Sequence, residues 1–331
     1  MIIRATAYPR AALIGNPSDG YFGKTIAFTF SNFSARVTLY ESPELEIVPS
    51  RRDGSTFPGI KALYEDVRLF GYYGGIRLLK SAIKSFYSYC LEHEIGLHDK
   101  NFTIRYESDI PNLVGLAGSS AIITATMRAL QDFYDVAIPK PQLANLIRAV
   151  ENRELGISAG LQDRVAQVYQ GMVYMDFDKG LLDRQGFGHY EWLPLKRMPS
   201  LYIAYRTDLS EGSEVFHNNI RERFDRGEPE IVDAMRDWAN FTLLARDALE
   251  QGDWTRLGEL MNMNFDKRKQ IFPLSEGNLR MVETARSHGA SAKFTGSGGA
   301  IIGTYADEAM YGKLSDAFAA QNVRILKPVL V

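Results

Sequence analysis

Cysteine is nearly absent from this chain, whose 331 residues include only Cys90. A single thiol excludes an internal disulfide and a cysteine-rich zinc site. The five histidines, His93, His98, His189, His217 and His288, fall at no spacing that suits a metal. Neither sign of charge dominates: 38 Lys and Arg stand against 40 Asp and Glu, for a net charge of −2. That balance, with a pI of about 6.3, argues against nucleic acid or an anionic membrane as the main partner. No apolar run reaches the length of a membrane span, and the opening MIIRATAYPR lacks the apolar core of a secretion signal. There is no low-complexity tract and no internal repeat. A globular cytoplasmic protein is the expectation.

What is present is a large core. With 45% hydrophobic residues, the chain suits one large domain or two ordinary ones. Residues 2 to 15 begin as a strand and end in a turn at Asn16-Pro17-Ser18-Asp19-Gly20. Ile26, Phe28 and Phe30, then Val37 and Leu39, alternate as in an antiparallel hairpin or meander. SDGYFGKT (18–25) is one glycine short of a phosphate-binding Walker loop, and a strand follows it where a helix should start. That reading is rejected. Residues 41–60 read as loop and 61–95 as helical, broken at Gly71-Tyr72-Tyr73-Gly74-Gly75, whose aromatic faces are a candidate for adenine.

The most informative stretch is DIPNLVGLAGSSAIITATMRAL, from Asp109 to Leu130. Gly115, Gly118, Ser119 and Ser120 precede an apolar face carrying Ile122, Ile123, Met127 and Leu130 at helical spacing. A glycine-rich loop feeding a helix N-terminus aims unpaired N–H groups and the helix dipole at one spot, which suits an anion. The same pattern also describes an ordinary capped helix, so the loop alone leaves both readings open.

Pro139 and Pro141 open a second helix that runs through Glu154, with Glu151 on or beside its apolar stripe. A carboxylate there needs a cation, a metal or hydrogen-bond donors unless it reaches solvent. GISAG (156–160) matches the serine-hydrolase elbow around Ser158, but that elbow requires a preceding strand and LIRAVENREL reads as helix. Asp163 heads an apolar-periodic segment, as a capping Asp does. From about Pro194 the chain turns to a strand LYIAY, helical runs near 229–250, 253–270 and 277–288, and a second glycine loop, KFTGSGGA (293–300). A helix over 306–321 and a strand over 323–330 close it. Two glycine-rich loops far apart in sequence suggest a ligand held between two halves, although glycines also serve strand packing.

YPRAALIGNPSD, IPNLVGLAGSSAI, ENRELGISAGLQD and KFTGSGGA occur in that order. In order and residues they resemble the GHMP small-molecule kinases, the superfamily of galactokinase, homoserine kinase and mevalonate kinase. GNPSDGYFGKTI, GYYGGIRLL and ELGISAGLQDRVAQVY extend the likeness over nearly the whole chain to plant-type glucuronokinases. The resemblance implies a two-lobed α+β fold: a ribosomal protein S5 domain 2-like N-terminal, ATP-binding lobe over 1–193 and an α/β C-terminal lobe over 194–331. It implies ATP and Mg²⁺, with a uronic acid, D-glucuronate, phosphorylated at its anomeric hydroxyl.

The implied roles follow the matching positions. Pro111, Gly115, Leu116, Ala117, Gly118, Ser119, Ser120 and Ala121 would wrap the ATP phosphates, with N–H groups of 119–121 among the donors. Ser120 and Glu151 would hold Mg²⁺. Asp163 would be the base, with Arg10 beside the nucleophile and the transferred phosphate. Asp19 would touch the sugar, and Gly296, Ser297 and Gly298 would close over the nucleotide. Two departures matter. Asn16-Pro17 stands where galactokinases have Glu-His, and Arg164 stands where they have Gln. Arg164 or Lys24 is therefore a candidate for the uronate carboxylate, unless Arg164 simply pairs with a neighbouring acid. The alternatives are a GHMP kinase for another sugar or uronic acid, a non-catalytic sensor on the same scaffold, and a hydrolase using Ser158.

Overall fold

The computed structural model describes residues 1–50, 53, 59–60, 74–194, 198–207 and 214–331. The first strands are β1 (Ile2–Ala7), β2 (Arg10–Ile14), β3 (Lys24–Thr29), β4 (Ala35–Ser42), β5 (Glu46–Val48) and β6 (Asn101–Ser108). They are followed by β7 (Met172–Asp176), β8 (His189–Trp192), β9 (Leu201–Tyr205), β10 (Lys293–Phe294), β11 (Ala300–Thr304) and β12 (Arg324–Leu326). The helices are α1 (Gly75–Glu92), α2 (Gly118–Tyr134), α3 (Lys140–Ala149), α4 (Gln162–Tyr169) and α5 (Lys179–Gln185). Then come α6 (Glu214–Asp225), α7 (Pro229–Gln251), α8 (Trp254–Ile271), α9 (Glu276–Ser287) and α10 (Glu308–Ala319). They form two packing units that interleave along the chain.

The first unit comprises Met1–Pro9, Phe33–Ile110 and Ala117–Val168. Its sheet has the order β1-β4-β6-β5, antiparallel except for the β5–β6 pair. Ala35, Val37 and Leu39 of β4 are buried while Arg36 and Tyr40 are exposed, the period-two pattern of a strand with one covered face. The cover is α2, which packs on β1 and β4 and against α1. Ile123, Met127 and Leu130 of α2 are fully buried. Each contributes about 1.5–3 kcal/mol by leaving water. Arg128 of the same helix donates to the Thr6 carbonyl at 2.7 Å and the Gln167 carbonyl at 2.8 Å, bracing β1 and α4.

The second unit comprises Arg10–Asn32, Pro111–Leu116 and Tyr169–Val331. One sheet runs β2-β3-β7-β8 and the other β10-β11-β9-β12, both antiparallel. The alternating runs at 26–30 and 37–39 are therefore not a hairpin: β3 pairs with β2 and β7, whereas β4 pairs with β1 and β6. Strand β2 is buried at every residue, and α7 packs on β3 while α8 packs on β2, β10 and β11. Thr242 and Trp238 of α7 bond the Lys24 carbonyl at 2.8 Å and the Asn264 carbonyl at 3.0 Å. Tyr202, Phe294, Ile301 and Phe318 fill the core of the second sheet.

Lys293 begins β10 with 1% of its surface exposed. Its Nζ donates to the carbonyls of Ala12 and Phe294, each at 2.7 Å. A neutral amine has two hydrogens, which these two acceptors satisfy. Burial, aided by the charges of Arg268 and Arg10, holds its pKa well below the ordinary lysine value. The unfolded chain then binds a proton that the folded chain does not, so stability rises with pH up to the unfolded lysine value of about 10.4. In denaturant titrations between about pH 7 and 9.5, the wild type should gain stability over Lys293→Met, by at most ~1.4 kcal/mol per pH unit. Parallel curves would show that Lys293 stays charged.

Candidate active site

The loop from Pro111 to Ala121 passes from the second unit to the first at Leu116–Ala117. Ala117 caps α2 in the left-handed region, at φ 60°. A residue with a Cβ holds that conformation at a cost of about 1–2 kcal/mol. Two donors fix it through its carbonyl: Gln167 Nε2 at 2.9 Å and the Ala121 N–H at 3.1 Å, with Ser120 Oγ 3.2 Å away. No side chain caps the helix, so its first-turn donors are the N–H groups of Gly118, Ser119 and Ser120. Ala121, expected among the phosphate donors, instead begins the helical ladder with its N–H on Ala117. Ser120 is buried, and its Oγ donates to Gln167 Oε1 at 2.6 Å. Gln167, fully buried, completes its bonding by donating to the Tyr8 carbonyl at 3.0 Å. It lies one helical turn after Asp163, a spacing that puts a polar partner on the same face of α4.

The chain expected to form one helix through Glu154 stops being α-helical at Ala149 and continues as a π turn, Val150–Glu154. Wider turns of this kind re-aim side chains and recur at functional sites. Here Glu151 is 2% exposed, and both Nε and Nη2 of Arg164 donate to its Oε2, the former at 2.7 Å. Arg164 Nη1 reaches Asp163 Oδ2 at 3.2 Å and the Gly160 carbonyl at 3.1 Å. Burial pushes the Glu151 carboxyl up, and Arg164 opposes it. The guanidinium keeps its charge, so it favours the carboxylate form of Glu151 against that burial. The structure thus gives Arg164 the neighbouring acids as partners, and Glu151 a guanidinium.

In the second unit the C-terminal glycine loop has its carbonyls turned onto buried cations. Arg10 Nη1 takes Thr295 O at 2.5 Å and Gly115 O at 3.2 Å. Arg268, which sequence reasoning missed, takes Gly296 O and Ser297 O at 3.1 Å each and stacks on Phe294 and Phe272. In a trans peptide the N–H points opposite to the C=O. The N–H groups of Gly296, Ser297 and Gly298 therefore face away from Arg10 and Arg268. This loop also lies backbone to backbone on Gly115: a Cβ on Gly296 would come within 2.5 Å of Gly115 O, and one on Gly115 within 2.9 Å of Gly298 O.

Asp19 lies in a 3-10 turn, Ser18–Tyr21. Arg221 of α6 donates to the Gly20 carbonyl and stacks 4.4 Å from the centre of the Tyr21 ring, with Phe224 edge-on to that ring at 5.1 Å. Asn264 secures the preceding residues, accepting from Gly15 N at 2.7 Å and donating to Asn16 O at 3.1 Å. Lys24 is paired with Asp176. Ser158 is preceded by α3 and the π turn, without the strand that a hydrolase elbow needs. Gly71, Tyr72 and Tyr73 lie outside the described residues.

Residues 77–171 match the family model described as GHMP kinases N terminal domain, and residues 245–322 the one described as GHMP kinases C terminal. The chain belongs to the GHMP kinases. Glucuronokinase 1 of Arabidopsis thaliana is 42% identical over 305 residues, 91% of this chain and 84% of that protein. A second Arabidopsis thaliana protein, described as "Probable glucuronokinase 2", is 42% identical over 330 residues, 98% of this chain and 90% of its own. The structure of Lactococcus lactis galactokinase complexed with galactose superposes with a TM-score of 0.77 at 18% identity, covering 99% of this chain and 93% of that one. As a GHMP kinase the protein is a phosphotransferase with ATP as co-substrate. No described helix is long and apolar enough to cross a membrane.

The contact between the two glycine loops has a direct test. Gly296→Ala forces the backbone off Gly115, and kcat/KM should fall by about 100-fold, ~2.7 kcal/mol, with the far-UV spectrum unchanged. Activity within about twofold of wild type would show that the loops need not touch.

Proposed function

We propose that this kinase transfers the γ-phosphoryl group of ATP to the anomeric hydroxyl of D-glucuronate, giving D-glucuronate 1-phosphate and ADP. The observation that carries the reading is the 42% identity, over 98% and 91% of the chain, to two proteins described as glucuronokinases. Phosphoryl transfer asks for positioning and charge stabilisation rather than a covalent intermediate, and the loops described above suit that demand. The donors we assign to the ATP phosphates are the N–H groups of Gly118, Ser119 and Ser120 and those of Gly296, Ser297 and Gly298. Pro111, Gly115, Leu116 and Ala117 shape the first loop. Asp163 takes the proton of the anomeric hydroxyl, which is more acidic than an ordinary alcohol. Arg10, expected beside the transferred group, is buried with its Nη1 on the Thr295 and Gly115 carbonyls, and we give it the role of holding the two glycine-containing segments together.

Mg²⁺, when bound with ATP, neutralises charge on the transferred phosphoryl oxygens. Magnesium favours phosphate oxygens and water with few protein ligands. Ser120 fits such a role, because donating its proton to Gln167 leaves its oxygen lone pairs available. Glu151 does not fit in the same way, since its carboxylate already accepts two bonds from a cation. The expected cations for the uronate carboxylate are likewise engaged: Lys24 by Asp176, and Arg164 by Glu151 and Asp163. We assign that carboxylate to Arg221, whose side chain is 43% exposed where α6 packs against the turn that carries Asp19; its 3.9 Å ion pair with Asp225 is long enough to be exchanged. We place the protein in the cytoplasm, in keeping with a chain whose one cysteine, Cys90, is buried and whose fold uses no disulfide.

ADP release across a panel of uronic acids and neutral hexoses tests the substrate. The wild type should turn over glucuronate, and Asp163→Asn should lose about 10³-fold in kcat while ATP still binds. Turnover of neutral hexoses alone would remove the uronate and leave the kinase. Arg221→Gln should raise KM for glucuronate about tenfold, ~1.4 kcal/mol, without raising KM for ATP. An unchanged KM would release Arg221 from the role.

A further inference from the structure

We infer that Glu151 is a positioning residue for Asp163, acting through Arg164, rather than a ligand of the metal. This rests on the reading of Asp163 as the base. Asp163 and Arg164 are adjacent on α4, and neighbouring residues on a helix point about 100° apart. Their 3.2 Å contact is therefore not a by-product of sequence proximity. The Arg164 side chain has to be turned, and its planar fork fixes where each N–H lies once one edge is anchored. Glu151 anchors the Nε–Nη2 edge, leaving Nη1 for Asp163 Oδ2 and the Gly160 carbonyl.

The backbone around Glu151 is arranged for this task. The π turn carries the carboxylate inward, and the segment that follows is tied back by Ile157 N on Glu151 O at 2.8 Å and by Asn152 Nδ2 on Ala159 O at 3.2 Å. Those bonds also hold the approach to Gly160, whose carbonyl accepts from Nη1. Arg164 and Glu151 are 5% and 2% exposed, so each charge is answered inside the protein rather than by water. A dication on the same carboxylate would stand beside a guanidinium already bonded twice to it.

The two roles separate in a Mg²⁺ titration at fixed ATP, using the full chain and whichever sugar the wild type turns over best. For a positioning residue, Glu151→Gln lowers kcat by about 10- to 100-fold while the Mg²⁺ concentration for half-activation stays within about twofold. The metal-free Glu151→Gln protein also melts lower, because the buried Arg164 exchanges a carboxylate on its Nε–Nη2 edge for a neutral amide and keeps only its other contacts, Asp163 among them. Should that variant not fold, Glu151→Gln/Arg164→Met replaces the ion pair with neutral groups and is compared with Arg164→Met alone. Equal kcat for those two supports action through Arg164. A further loss of tenfold or more in the double variant, or a tenfold rise in the Mg²⁺ needed by Glu151→Gln, overturns the inference. Wild-type activity restricted to neutral sugars would remove the uronate reading without touching this comparison. A wild type inactive on every sugar would remove both.

Discussion

A buried cation must be solvated by the protein, and in this molecule the solvating groups are mostly backbone carbonyls. Arg10 and Arg268 bind carbonyls of Thr295, Gly296 and Ser297, successive residues of one loop, and the neutral amine of Lys293 donates to the carbonyl of Phe294 just before them. Turning those carbonyls inward fixes the loop's peptide planes. The same planes then present N–H groups on the opposite side, so an anion-binding edge follows from satisfying cations elsewhere. Glycine is needed because the loop approaches Gly115 more closely than a Cβ would allow. Charge burial, backbone direction and composition thus converge on one short segment.

The first unit solves a related problem by other means. Its loop places Ala117 in a strained conformation, and strain persists only where surrounding bonds over-determine it. Gln167 does much of this by bonding Ala117, Tyr8 and Ser120 at once. Removing such a side chain would leave several buried groups unanswered together, so the loop, α2 and α4 behave as one rigid element. Rigidity matters where catalysis depends on placement, because donors already aimed need no reorganisation in the transition state.

Much of this was legible in the sequence, for identifiable reasons. Strands β4, β6, β7 and β9 have patterns that are local, and α2 carries its apolar face and its glycines in one run. The family order of four segments gave the fold. What escaped was non-local. Residues 26–30 and 37–39 look like a hairpin because both alternate, yet their hydrogen bonds lead to strands far along the chain. Glu151 looked like the flank of a regular helix, whereas the π turn changes the phase by which flanks are counted. The burial of Arg268 and Lys293 has no local signal, since nothing in the sequence says that a lysine opening a strand will meet two carbonyls and two arginines.

Arg164 shows how far a resemblance reaches and where physics has to continue. Its position after Asp163 marks a departure from galactokinases, and an anionic substrate is the natural first explanation. A planar fork buried at 5% exposure and holding two acids is a poor receptor for a third, because binding a new carboxylate would mean releasing one already desolvated. The uronate is better met by a guanidinium that water can still reach, which Arg221 is. On the proposed reading, specificity for the sugar and preparation of the base fall to different arginines. The two arginines share no partner among the contacts described, so on this reading a change at Arg221 alters the grip on the sugar and leaves the Glu151–Arg164–Asp163 contacts as they are.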